Sequence, residues 1–319
     1  MDNFNRKIIY YANFNITFGD EQVPLLKQFD DILMPSLISG VAIGRENAST
    51  KFYFNDIQVK KVNEQNILCG NIIKSTTIRR YTTLSTNNEL QDDPAALESA
   101  PYSRFIIFLR NHRMILVMNE AGSPDIRSFQ KAIRELLFQY VREQNKIRIP
   151  QEKLPKPHVN IVDMPLTNDI EQVLSQTERI EEVNWRFYPL NADISFGDMY
   201  QAVNSKVEET QSTSALLQLR SPKSNKTIIS DIKENLSKGL ARVNLRVKNK
   251  DGTRVRIKEN QFTSKSEIEV IGSITSHEDD KLIKHANEIP ELQYLSDENA
   301  AIYQNTINNI EKWRNMLES

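Results

Sequence analysis

Glycine is scarce in this chain, with 9 residues in 319, well below the usual ~7% of a soluble protein. No G-x-G-x-x-G and no G-x-x-x-x-G-K-[ST] run occurs. The glycine cradles that hold pyrophosphate in the common nucleotide-dependent enzymes are therefore excluded. Cysteine is limited to Cys69, so disulfide support is excluded. The N-terminal MDNFNRKIIYYANF lacks the apolar core and small-residue cleavage site of a secretory signal. Together these predict a reducing, cytoplasmic location. Cys69 lies in the apolar run NILCGNII, which reads as a buried, inert thiol rather than a nucleophile. No G-x-S-x-G elbow appears. No apolar run approaches the roughly 18 residues of a membrane span, so membrane insertion is not expected. The four histidines, at 112, 158, 277 and 285, form no His-x-x-x-His pair, and no metal or other cofactor is expected.

The remaining text predicts an α+β protein. Residues 7–18 read as a strand. Leu25, Leu26, Phe29, Ile32 and Leu33 fall at helical spacing, with Pro35 expected to end that helix. KFYFNDIQVKKV and NILCGNIIKSTTIRRYTTL read as paired strands, and residues 86–101 as a polar loop. In SRFIIFLRNHRMILVMNEAGSPDIRSFQKAIRELL, Phe105, Ile107 and Leu109 alternate with Ile106 and Phe108. Both faces are apolar, which predicts a central strand covered on both sides. Asn111 and His112 tolerate a turn with positive φ. Ser123 is the expected cap of a helix whose stripe is Ile126, Phe129, Ile133, Leu136, Leu137, Tyr140 and Val141. RIPQEKLPKPHVN holds three prolines and is the expected boundary between two domains. Residues 1–150 would form an antiparallel-sheet domain with covering helices. Residues 158–319 would form a smaller α+β sandwich, ferredoxin-like being one option, with a basic hairpin turning at Asp251-Gly252 and a C-terminal helix.

Chemistry is harder to find than fold. HEDD at 277–280 groups His277, Glu278, Asp279 and Asp280, and reads as a solvated helix start whose acids favour the positive dipole end. Asp56 and Lys60 share a strand, as metal-dependent nucleases require, but no second acid followed by Glu-x-Lys appears at suitable spacing. The strongest signal is local charge. Residues 215–266 hold 13 Lys/Arg against 4 Asp/Glu, although the chain as a whole has a net charge of −1. Arg242, Arg246, Lys248, Arg254, Arg256 and Lys258 recur with a period of two, opposite Val243, Leu245, Val247, Val255 and Ile257. A face of stacked cations suits a phosphate backbone. It equally suits a solvated edge that blocks aggregation. Lys74, Arg79 and Arg80 in KSTTIRRY make a second basic patch. No aromatic–basic motif of the base-stacking kind is present.

The order of these features carries a resemblance. A hairpin FIIFLRNHRMILVMNEAGS leads into a helix, and an α+β region ends in ARVNLRVKNKDGTRVRIKEN and a C-terminal helix. Over residues 103–319 this pattern resembles the bacterial phage-defence proteins that include the lambda exclusion protein RexA and the Kiwa component KwaB. The resemblance implies DNA binding without strong sequence preference, homodimers, and a role in antiviral defence. Arg242, Arg246, Arg254 and Arg256 are the positions it carries over. The expected function is thus non-enzymatic nucleic-acid binding, with DNA the expected ligand. Two rivals remain open. One is a protein-interaction subunit that recruits a defence-system effector through its C-terminal helix, with Trp313 as the anchor. The other is a metal-dependent nuclease.

Overall fold

The computed structural model describes residues 4–189 and 198–318. Its larger sheet is built from β1 (Phe4–Phe18), β2 (Val23–Pro24), β3 (Thr50–Val62), β4 (Gln65–Leu84), β5 (Leu90–Ser99), β6 (Tyr102–Phe108), β7 (Arg113–Met118) and β8 (Pro157–Asp163). The smaller sheet takes β9 (Thr177–Phe187), β10 (Ala215–Arg220), β11 (Ala241–Asn249) and β12 (Arg254–Ile257). The last strand, β13 (Lys265–Ile271), returns to the larger sheet, whose main path is β13-β1-β7-β6-β4-β3. β8 and β13 lie end to end on one edge of β1, because Ala12 pairs with Asp163 and Ile9 with Ser266, while both also pair with β7 on the other edge.

The central-strand reading of β6 holds. Phe105, Ile107 and Leu109 enter one core and Ile106 and Phe108 the other. Three helices contribute to the first core: α1 (Met34–Leu37), α2 (Ile126–Ile147) and α7 (Asp297–Glu318). α6 (Asp279–Asn287) covers the second with Leu282, Ile283 and Ala286. The whole expected α2 stripe is in or against the first core, Tyr140 being half-buried. No helix among the described residues is long and apolar enough to cross a membrane.

The turn between β6 and β7 places His112 at φ +57°. The Asn111 amide donates to the Leu292 and Tyr294 carbonyls and fixes the turn to the far side of the core. His112 is fully buried, and burial followed by the charge of Arg113 pushes its pKa down to about 3. The imidazole is therefore neutral in the folded protein. Its folded pKa lies below the ordinary ~6.5 of the unfolded chain, so its contribution is intact above pH 6.5 and is lost as pH falls towards 3. Denaturant midpoints measured at pH 7 and pH 4.5 should show a smaller acid loss in His112→Asn, since Asn also tolerates this φ but does not titrate.

Several local expectations need correction. Pro35 does not end its helix. A wide five-residue turn, Phe29–Leu33, precedes α1 and accommodates a residue without an N–H. Asp125, not Ser123, caps α2, its side chain accepting from the Ser128 N–H at 2.8 Å. Residues 90–99 are a strand, not a loop, because the long β4 supplies a partner. Pro94 sits at the register shift of that pair, where a missing N–H costs least. The boundary near residue 150 does not divide the sheets. β8, β13, α6 and α7 all complete the larger body, and the smaller sheet is an insertion between β8 and β13. That smaller sheet has the order β10-β9-β11-β12 with every pair antiparallel. This departs from the strand–helix–strand–strand–helix–strand order of a ferredoxin-like sandwich. The sequence also predicts a helix over residues 196–208; it is described from Asp198 to Glu209, and Phe196 lies outside the described residues.

Candidate nucleic-acid interface

The smaller sheet has one covered face and one open face. Val183, Trp185 and Phe187 of β9 and Val243, Leu245 and Val247 of β11 point inward. They pack on Ile170 and Leu174 of α3 (Thr167–Leu174), on Tyr200 of α4 (Asp198–Glu209), and on Ile228, Ile232 and Leu236 of α5 (Asn225–Ser237). The alternate residues are left on the other side. Cross-strand partners share a face, so the register sets Arg186 beside Arg242, Asn184 beside Asn244, Glu182 beside Arg246, and Arg246 beside Arg256. The hairpin turns at Asp251-Gly252 as expected, with Gly252 at φ +86° and the Asp251 carboxylate accepting from the Thr253 N–H.

Carboxylates temper this face. The register shifts between Arg246 and Val247, and such a bulge turns two successive β9 residues, Glu181 and Glu182, toward the cations. Arg254 donates to Glu181 at 2.8 Å, and Arg246 lies 3.6 Å from Glu181 and 3.3 Å from Glu182. The Arg254 hydrogen bond holds the Glu181 carboxyl below its ordinary pKa, and a hydrogen bond from Asn184 does the same for Glu182. Lys248 pairs with Glu178 at 2.8 Å. Arg242 is drawn inward, donating to Gln130 and the Ile161 carbonyl with its guanidinium over the Tyr188 ring. It joins the two sheets as well as facing the open side. At the same junction Gly239, at φ +66°, lies so close that an added Cβ would meet Asn13 and Met164. Among the described residues, Arg186, Arg256 and Lys258 form no ion pair.

Those three cations border two adjoining hollows. One, of about 390 Å³, is lined by Arg127, Asn184, Arg186, Arg242, Asn244, Lys258, Glu259 and Asn260. The second, of about 350 Å³, shares Asn184, Asn244 and Lys258 and adds Arg246 and Arg256. Together they make one polar groove along the sheet. Arg186, Arg127 and the three asparagines escaped the sequence reading. VNWRFYPL does alternate, but only the β9–β11 pairing shows that Arg186 stands on the cation side.

The other expected site residues do not converge here. Lys74 is half-buried on β4. Arg79 and Arg80 are successive strand residues and point to opposite faces of the ribbon formed with β5, and Arg80 is paired with Asp93 at 2.6 Å. This ribbon leaves from the β4 side of the larger sheet, whereas the smaller sheet adjoins β8. Trp313 is not a free anchor. It packs against the larger core and donates to Asp30 at 2.6 Å.

The acidic motifs are structural. Arg104 on β6 is fully buried and makes a two-pronged contact with the fully buried Asp279 at 2.8 and 2.7 Å. Asp56 at 2.5 Å and Asn71 at 3.2 Å take its remaining donors, and Lys60 reaches Asp279 at 2.7 Å. Asp56 and Lys60 are thus tied up at the solvent-facing rim of an ionic cluster whose centre, Arg104 and Asp279, is buried, and Asp279 is no solvated helix start. Glu278 instead closes a capping turn with Thr275. No group of three or more metal-ligating side chains occurs among the described residues. Burial raises the Cys69 thiol well above its ordinary pKa, as expected of an inert thiol.

No protein-family model matches this chain. No curated protein matches it in sequence either.

Proposed function

We propose that the open face of the smaller sheet binds nucleic acid through the phosphate backbone. The observation that carries this reading is the continuous groove in which Arg186, Arg256 and Lys258 are without a carboxylate partner among the described residues and Arg242 stands at the floor. A polyanion satisfies several such cations at once, with release of counterions. The groove asparagines offer donors and acceptors to sugars or base edges. Stacking of bases is not part of the reading, because Tyr188 is already covered by Arg242. The resemblance of residues 103–319 to phage-defence proteins supports DNA as the ligand and antiviral defence as the setting.

The test is a titration of the protein against labelled duplex DNA, single-stranded DNA and RNA over a series of salt concentrations. Four phosphate contacts predict a slope of about −3 to −4 in log affinity against log salt. Absence of binding to every probe at 50 mM salt, or binding insensitive to salt, removes the proposal.

A further inference from the structure

Beyond Thr76, β4 leaves the body of the larger sheet and is accompanied only by β5. The result is a two-stranded arm whose strand is nine residues long from Thr76 to Leu84, roughly 30 Å at the usual rise. Its register runs Ile78 to Leu97, Arg80 to Ala95, Thr82 to Asp92 and Leu84 to Leu90. Each pair shares a face, and β4 alternates without interruption, so these eight residues line one side of the arm. The first and last rungs are apolar and bare. Ile78 is 53% exposed, Leu97 57%, Leu84 64% and Leu90 78%.

A lone two-stranded ribbon is marginal in water, and this one shows four large apolar side chains on a single face. Its β5 edge is guarded against strand addition by Pro94 and by Asp92 and Asp93, while the β4 edge beyond Thr76 stays open. The apolar face is the larger hydrophobic surface left to be covered.

We propose that a second copy of this chain covers it, the two arms packing face to face and antiparallel. The spacing is self-complementary. The apolar rungs are the two outer ones and the polar rungs the two inner ones, so a twofold axis across the middle of the arm superposes outer on outer. Ile78 and Leu97 then meet the partner's Leu84 and the partner's Leu90, and the reverse contact follows by symmetry. The inner rungs bring Arg80, which also holds Asp93 of its own arm at 2.6 Å, alongside the partner's Asp92, opposite in charge. Antiparallel arms also carry the two bodies to opposite ends, where they do not collide. Burying this face on both copies removes roughly 1,000 Å² in total, at the threshold of a biological interface.

The experiment measures the mass of the full chain in solution by light scattering over 1–100 µM, beside the Leu84→Asp/Leu90→Asp variant. The wild type is expected to be a dimer and the variant a folded monomer with an unchanged circular-dichroism spectrum, because neither residue touches the core. Cross-linking fixes the geometry. Copies carrying Ile78→Cys should form an oxidised link with copies carrying Leu84→Cys when mixed, and neither should link efficiently to itself. A monomeric wild type, a variant that stays dimeric, or links only between identical positions overturns the proposal.

Discussion

Replacing Arg104 by Ala is expected to lower stability by about 3–5 kcal/mol. The side chain is fully buried in a central strand, and its guanidinium makes four hydrogen bonds, two to Asp279 and one each to Asp56 and Asn71. Removing it leaves Asp279, also fully buried, with Lys60 as its remaining cation and an empty volume beside it. Total stabilities of single proteins are about 5–15 kcal/mol, so this one change takes a large share. The penalty arises from the orphaned charge more than from loss of attraction. Arg104→Met combined with Asp279→Leu, which removes both charges and fills the space, should therefore be less damaging than Arg104→Ala alone. Urea midpoints of the three proteins make the comparison. A loss below about 1 kcal/mol in Arg104→Ala would mean that water reaches the cluster.

Reversing the charge of the two unpaired groove cations of the hairpin, Arg256→Glu with Lys258→Glu, should reduce nucleic-acid affinity on the order of 100-fold at low salt and flatten the salt slope by about two. The same double reversal at Arg246 and Arg254 should do less. Those arginines already hold Glu181 and Glu182, and much of their charge is spent locally. Glu181→Gln with Glu182→Gln frees them and should tighten binding. Competition titrations at fixed salt distinguish the three variants. Equal losses for both cation pairs would show that the bulge acids do not shape the face.

What could be read beforehand followed physical locality. The alternation of Phe105 to Leu109, the stripe of α2 and the Asp251-Gly252 turn are decided by neighbours within a few residues, and all were legible. The two-faced hairpin was legible for the same reason. β13 was not seen, because KSEIEVI is a strand only by virtue of pairing with β1 from the far end of the chain. β5 was read as a loop for the same reason. Its proline and acids are poor strand formers until β4 holds them. The groove suffered most. Alternation alone showed the cations on one side, but the bulge that swings Glu181 and Glu182 among them is set by the register between two strands about 65 positions apart. Trp313 sits on the expected C-terminal helix, yet only the packed helix shows that its indole is spoken for by Asp30.

The placement of β13 has a consequence for biosynthesis. β1 emerges from the ribosome first, but half of its outer edge is matched only by residues 265–271. At ordinary translation rates that strand waits roughly 15–50 s with bare amides and carbonyls on display. During that interval it is a template for wrong pairing, and the whole inserted unit must be made before the edge can close. Truncation anywhere before residue 271 leaves part of that edge of β1 without its partner strand.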